Sequence, residues 1–221
     1  MLKANRFEDL RRSGQGMAIR LRDQYESWTL PIVGYHNVEN ALAAIACAWA
    51  LGLPLSQTRM RLSSFLPTPQ RSEVVQCRGL TILNDCYNAN PLSVARALET
   101  LRDMEVRRKV AVMGDMLELG SYAPSAHQAI GRLASQLGID TIMAVGTYAE
   151  CIAQGVREFR ENGVTTYSSV DALMRDLPSR LLPGDGILVK GSRKLNLEQV
   201  TEFLLKHYSD SEPSKAPFLP S

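Results

Sequence analysis

The residues able to do chemistry gather in a few short stretches of this 221-residue chain, and the densest is NDCYNANP, residues 84–91. It follows an apolar, strand-like run, so its polar groups stand at a strand end. Asp85 there can accept two hydroxyls at once, the usual way to hold a ribose. Asn88 and Asn90 add amides to the same turn. A turn and a helix start need one or two such groups and not four, although plain capping remains an alternative for both asparagines. A second stretch, KGSR, sets Lys190, Ser192 and Arg193 behind the apolar run ILV. A forked guanidinium beside a point-charge ammonium suits a carboxylate or a phosphate, with a solvated basic turn as the alternative. A third stretch, GDMLELG, offers Asp115 and Glu118, where an aspartate capping the next helix is the plainer use. His127 is expected to be a surface or internally satisfied helix histidine, and Cys86 a small filler at the strand end.

Several chemistries are excluded by pattern. There is no GxxxxGK[ST] to cradle a triphosphate, no GxGxxG for a dinucleotide, and no serine nucleophile elbow. Cys47, Cys77, Cys86 and Cys151 stand at no metal-ligand spacing and form no CxxC, so reduced thiols in a cytoplasmic protein are expected, and no metal site. A net charge of +2 without a basic block points away from nucleic acid. No apolar run approaches the roughly 18 residues of a membrane span. The first residues lack the apolar core of a secretory signal.

The elements that must position these residues change character along the chain. MAIRLRDQYESWTLPI alternates like a hairpin turning near Asp23. A helix follows, with Asn37 as its expected N-cap, Ala41, Ile45, Ala48 and Trp49 at helical spacing, and Gly52 as its stop. PLSQTRMRLSSF predicts a second, short helix. LPTPQR then supplies two prolines in three residues, and a boundary is placed there, giving a first domain over 1–66 and a second over 67–208. The second opens on a hairpin turning at Arg78-Gly79. It continues as strand alternating with helix, including a helix capped by Asn90 with Pro91 at its first position and one broken or kinked by Pro178. That alternation predicts an α/β fold with a mostly parallel sheet and helices on both faces, its ligands beyond the carboxyl ends of the strands. Residues 209–221 are rich in proline and serine and are expected to be a disordered tail.

GYHNVENALAA, TPQRSEV, NDCYNANPLSV, VMGDMLELG followed by HQAIG, and LVKGSR occur in the order and rough spacing found in Mur ligases. Over residues 14–205 the chain resembles that family, and YNANP with GDMLELG sets apart its dipeptide-adding branch. The resemblance implies a Rossmann-like carboxyl-terminal domain preceded by the end of a central ATPase domain. It implies ATP- and Mg2+-dependent, ADP-forming ligation of D-alanyl-D-alanine to UDP-N-acetylmuramoyl-tripeptide in peptidoglycan precursor synthesis. By motif, Asn37 and Asn40 would contact adenine, Arg71 the nucleotide phosphate and Asp85 the ribose. Asn88 and Asn90 would shape the neighbouring substrate cleft, and Lys190, Ser192 and Arg193 would place the dipeptide through its carboxylate. No residue receives a catalytic role. Lys194-Leu195 departs from the Gly-Met-like pair usual after KGSR. The family's triphosphate loop and UDP-sugar domain match nothing in these residues, so no turnover by this chain alone is expected. A separately encoded amino-terminal half is the implied partner, and a non-catalytic nucleotide- or peptide-binding module is the alternative.

Overall fold

A computed structural model describes residues 2–7, 15–21 and 24–208; the tail expected over 209–221 lies outside the described residues. The described chain falls into two compact units that divide between Thr68 and Pro69.

The first unit is an antiparallel meander followed by two helices. Strands β1 (Leu2–Phe7), β2 (Gln15–Leu21) and β3 (Gln24–Leu30) pair in sequence order, so the expected hairpin is present and gains a third strand that sequence reading missed. Helix α1 (Tyr35–Ala50) and the short α2 (Leu55–Ser63) follow. Trp28 and Leu30 of β3 bury against Val38, Ala41 and Ile45 of α1. The N-cap expectation is corrected. Gly34, at φ 95, is the cap, and Asn37 lies in the first turn with its side-chain amide donating to Val33 O at 2.7 Å. Glycine reaches that conformation without a Cβ penalty, so the helix starts earlier than a side-chain cap would allow. Trp49, at helical spacing from the buried stripe, is half exposed.

The second unit is a six-stranded sheet with helices on both faces. Its strands are β4 (Glu73–Cys77), β5 (Leu80–Asn84), β6 (Arg108–Gly114), β7 (Thr141–Val145), β8 (Val164–Tyr167) and β9 (Asp185–Lys190). The spatial order is β4-β5-β9-β6-β7-β8, and β4 alone runs antiparallel. The β4–β5 hairpin turns at Arg78 and Gly79, both with positive φ, a primed turn that matches the strand twist.

Helices α3 (Pro91–Asp103), α4 (Ala123–Gln136) and α5 (Ala149–Arg157) make the steps β5→β6→β7→β8, all in one direction across the sheet. The step β8→β9 through α6 (Val170–Arg180) runs the other way. Right-handed crossovers therefore put α3, α4 and α5 on one face and α6 on the other. The buried side chains agree. Ile82, Val110, Val112, Met143, Ile187 and Val189 pack with Leu173 and Leu177 of α6, and with Val200 and Leu204 of the last helix, α7 (Glu198–His207). Leu83, Ala111, Met113, Ile142, Ala144 and Leu188 alternate with that set and are equally buried, so they face the other way. Pro178 falls in the last turn of α6, which ends at Arg180. Helices α4 and α5 cross with their backbones almost touching. A Cβ on Gly131 would stand 2.0 Å from Ile152 O, and one on Gly155 would stand 2.0 Å from Gln128 O.

Candidate functional site

The strand order brings four loops together at the carboxyl edge of the parallel strands. The loops after β5 and β6 lead to helices on one face and the loop after β9 to α7 on the other, so the switch points flank β9, and in such sheets that is where ligands bind. One continuous set of hydrogen bonds runs through the loops after β5, β9, β6 and β7.

It begins at Asp85. The Asp85 N–H donates to Val189 O at 3.0 Å and continues the β5–β9 ladder by one residue. Its carboxylate then leaves the sheet. Lys190 Nζ donates to Asp85 Oδ2 at 2.6 Å, and the Ser72 N–H to Oδ1 at 2.9 Å. Lys190 also donates to Asp85 O and Asn88 O, at 3.3 and 3.1 Å. Its side chain is 2% exposed and that of Asp85 16%. An ammonium has three protons, and here all three have acceptors. The carboxylate has about four lone-pair sites and uses two, so Asp85 keeps acceptor capacity for hydroxyls at its open side.

The path continues through Ser192, also buried. Its N–H donates to Asp115 O at 2.9 Å, and its hydroxyl accepts the Leu117 N–H at 2.9 Å. The Asp115 carboxylate accepts the N–H groups of Thr147 and Tyr148 at 2.8 and 2.9 Å. Asp115 therefore holds the turn that leads from the neighbouring strand β7 into α5, and does not cap the helix that follows it. Gly146 makes this possible: at φ +116, a Cβ there would stand 2.6 Å from the Asp115 carboxyl. His127 closes the set. It is fully buried, accepts the Met116 N–H through Nε2 at 2.8 Å, and so carries its proton on Nδ1 toward Ala123 O. Its ring stacks on Tyr148 at 4.6 Å. Burial pushes its pKa below the ordinary value, against smaller opposing pulls from Ala123 O and the Asp115 charge. It is an internally satisfied histidine, as expected.

The remaining residues sort by position. Arg71 is exposed, its guanidinium carbon 4.1 Å from the centroid of the Tyr87 ring. Arg193 Nη1 donates to Gln70 Oε1 at 2.7 Å and stands 3.3 Å from Glu198 Oε1. Asn88 is exposed, and its Oδ1 accepts the Ala89 N–H. Asn90 forms a capping box with Ser93 at the start of α3, the capping use that the sequence left open. In the first unit, Asn37 and Asn40 lie on one side of α1, the Asn40 amide donating to Asn37 Oδ1 at 3.3 Å. Cys86 is buried, and its thiol is pushed up to about 12, by burial first and the nearby Glu198 second. It fills space and is chemically quiet at neutral pH. Sequence reasoning missed Gln70, Ser72 and Tyr87. All three stood inside stretches the sequence singled out, NDCYNANP and TPQRSEV, but nothing in those stretches assigned them a contact.

Among the described residues no three His, Cys, Asp or Glu side chains are grouped to hold a metal ion. Asp85 and Asp115 are already engaged by Lys190 and by backbone N–H groups. Among the described residues, too, no helix is long and apolar enough to cross a membrane.

Known proteins match most of this chain. The family described as "Mur ligase, glutamate ligase domain" matches residues 70–193. The UDP-N-acetylmuramoyl-tripeptide–D-alanyl-D-alanine ligase of Bacillus subtilis is 32% identical over 203 residues, which are 90% of this chain and 44% of that protein. The ligase of the same name from Treponema pallidum is 38% identical over 181 residues, 80% of this chain and 39% of that protein. Among solved structures, MurF from Acinetobacter baumannii superposes with a TM-score of 0.79 at 28% identity, over 88% of this chain and 42% of that one. The MurF ligase from Thermotoga maritima in complex with ADP shares the fold at a TM-score of 0.78 and 23% identity, over 94% of this chain and 46% of that one. The chain thus spans less than half the length of these relatives.

Proposed function

The chain belongs to the Mur ligase family, and from that premise we propose that it is the carboxyl-terminal portion of a cytoplasmic ligase joining D-alanyl-D-alanine to UDP-N-acetylmuramoyl-tripeptide. In that reaction ATP phosphorylates the tripeptide carboxylate. The dipeptide amine then attacks the acyl phosphate, and ADP and phosphate leave. The observation that carries the reading is the Asp85–Lys190 pair within the joined carboxyl-edge loops. Lys190 fixes Asp85 in place, and the open side of the carboxylate keeps lone pairs for the two ribose hydroxyls. Arg71, exposed beside it, supplies positive charge for a nucleotide phosphate. By motif, Asn37 and Asn40 are the residues for adenine. Asn88 shapes the cleft beside Asp85, and Asn90 holds the start of α3 under it. Ser192 and Lys190 act on the dipeptide pocket by fixing its loops.

The 221 residues contain no GxxxxGK[ST] loop, which favours binding without turnover by this chain alone. The phosphate loop, the Mg2+ ligands and the UDP-sugar site then belong to an amino-terminal half of the ligase. The test is calorimetric titration of the chain with ADP, comparing wild type with Asp85→Asn, which keeps the shape but loses the charge. The substitution is expected to cost about 1.5 kcal/mol, close to tenfold in affinity. Equal affinity in the two chains would remove Asp85 from the site. Phosphate release from ATP that depends on D-alanyl-D-alanine, by this chain alone, would overturn the binding-only part.

A further inference from the structure

Arg71 sits in an unusual piece of backbone. Its two neighbours, Gln70 and Ser72, both have positive φ, at 63 and 48, and neither is glycine. Such residues persist only where the surroundings over-determine them, and an observed outlier of this kind points to a functional constraint. The surroundings here are the strand-end loops of the site. Gln70 O accepts the Tyr87 N–H at 3.1 Å, and the Gln70 N–H donates to Glu73 Oε2 at 3.1 Å. Arg193 grips the Gln70 side chain at 2.7 Å, and the Ser72 N–H is held by Asp85 at 2.9 Å. The backbone on either side of Arg71 is pinned, and the side chain itself lies over the Tyr87 ring.

We propose that Tyr87 and Arg193 are positioning residues for Arg71. Tyr87 fixes the guanidinium by its ring face, and Arg193 fixes the backbone from which Arg71 springs. A guanidinium lying on a ring keeps its N–H donors around its edge, free to meet two oxygens of an anion at once. Its rotamer freedom is spent before the anion arrives, which lowers the cost of binding. Arg193 meets Gln70 and Glu198 through Nη1, and by the Gln70 contact it serves the site through the linker. The proposal rests on the reading of Arg71 as the arm that meets a nucleotide phosphate. The relatives' names and the family match assign no role to Tyr87 or Gln70.

The test uses the whole 221-residue chain and two readouts. The first is NMR of the Arg71 side chain, assigned with Arg71→Lys, without ligand. Ring current should move its Hδ and Hε signals upfield in wild type and in Tyr87→Phe, not in Tyr87→Leu, and less in Arg193→Ala. The second is titration with ADP. Tyr87→Leu and Arg193→Ala should each weaken binding roughly fivefold, the size of an exposed cation–π contact, with Tyr87→Phe near wild type. Arg71→Ala combined with Tyr87→Leu should bind no worse than Arg71→Ala alone. Arg71 signals unmoved by Tyr87→Leu, or additive losses in the double variant, would overturn the proposal for Tyr87. An Arg193→Ala chain with full ADP affinity would overturn it for Arg193. If wild type shows the upfield signals and no ADP affinity, the phosphate reading of Arg71 fails and its positioning by Tyr87 stands.

Discussion

Lys190 carries a full charge to a position that is almost completely buried, and it is tolerated because each of its protons has an acceptor. Removing the charge leaves Asp85 with the Ser72 N–H alone. Lys190→Met is expected to cost about 3 kcal/mol, at the lower end for a broken buried pair because Asp85 retains some contact with water. The check is the urea midpoint, with the Asp85→Asn, Lys190→Met double variant recovering part of the loss. His127 makes a second prediction. It is neutral when folded, its pKa lies below the unfolded value, and its Nε2 is occupied by the Met116 N–H. The unfolded chain therefore binds the proton more readily. Its contribution to stability is complete above about pH 6.5 and is lost as pH falls below that value. A His127→Gln chain should be less stable at pH 7.5 and show a flatter decline between pH 7 and 5, measured by urea unfolding at each pH. Of these residues the sequence showed the types and the strand-end location. It could not show that Lys190 and Asp85 meet across 105 residues, because that pairing depends on which strands are neighbours.

At the scale of elements, the α4–α5 crossing is set by two glycines facing each other's backbone. Gly155→Ala would place a methyl 2.0 Å from Gln128 O, a backbone atom with no rotamer to move. The helices must separate, at an expected cost of about 3 kcal/mol, seen as a lower thermal midpoint with unchanged far-ultraviolet circular dichroism below the transition. Most elements of the second unit were legible because local signals agreed with one another: Asn90-Pro91 opening α3, Gly138 just past α4, Arg78-Gly79 turning the β4–β5 hairpin. The misses have local causes too. LKANRF alternates only over residues 2–5 before Arg6 breaks the pattern, too short a run to mark β1. Gly34 took the cap expected of Asn37. Asp115 holds the turn before α5, 32 and 33 residues further on, which a reading along the chain cannot find.

At the scale of the molecule, the unit from Pro69 onward has its own two-faced core, with buried side chains on both sides of a six-stranded sheet. Residues 69–208 expressed alone are expected to unfold in one cooperative thermal transition; a broad, non-cooperative melt would show that they need the first unit. The prolines near residue 67 led the sequence reading to place a boundary there, while the strand order was not legible, since alternation predicts a parallel sheet and leaves its permutation open. That permutation bears on synthesis. The strand at the middle of the sheet, β9, is the last one made, and both of its neighbours must wait for it. From β5 to the end of β9 the ribosome needs roughly 5–20 s at 5–20 residues per second. During that interval β5 and β6 each present an open hydrophobic edge that nothing upstream can cover. Open edges of this kind are what holding factors cover, and a chain that stops before Asp185 is left with two half-sheets and no centre.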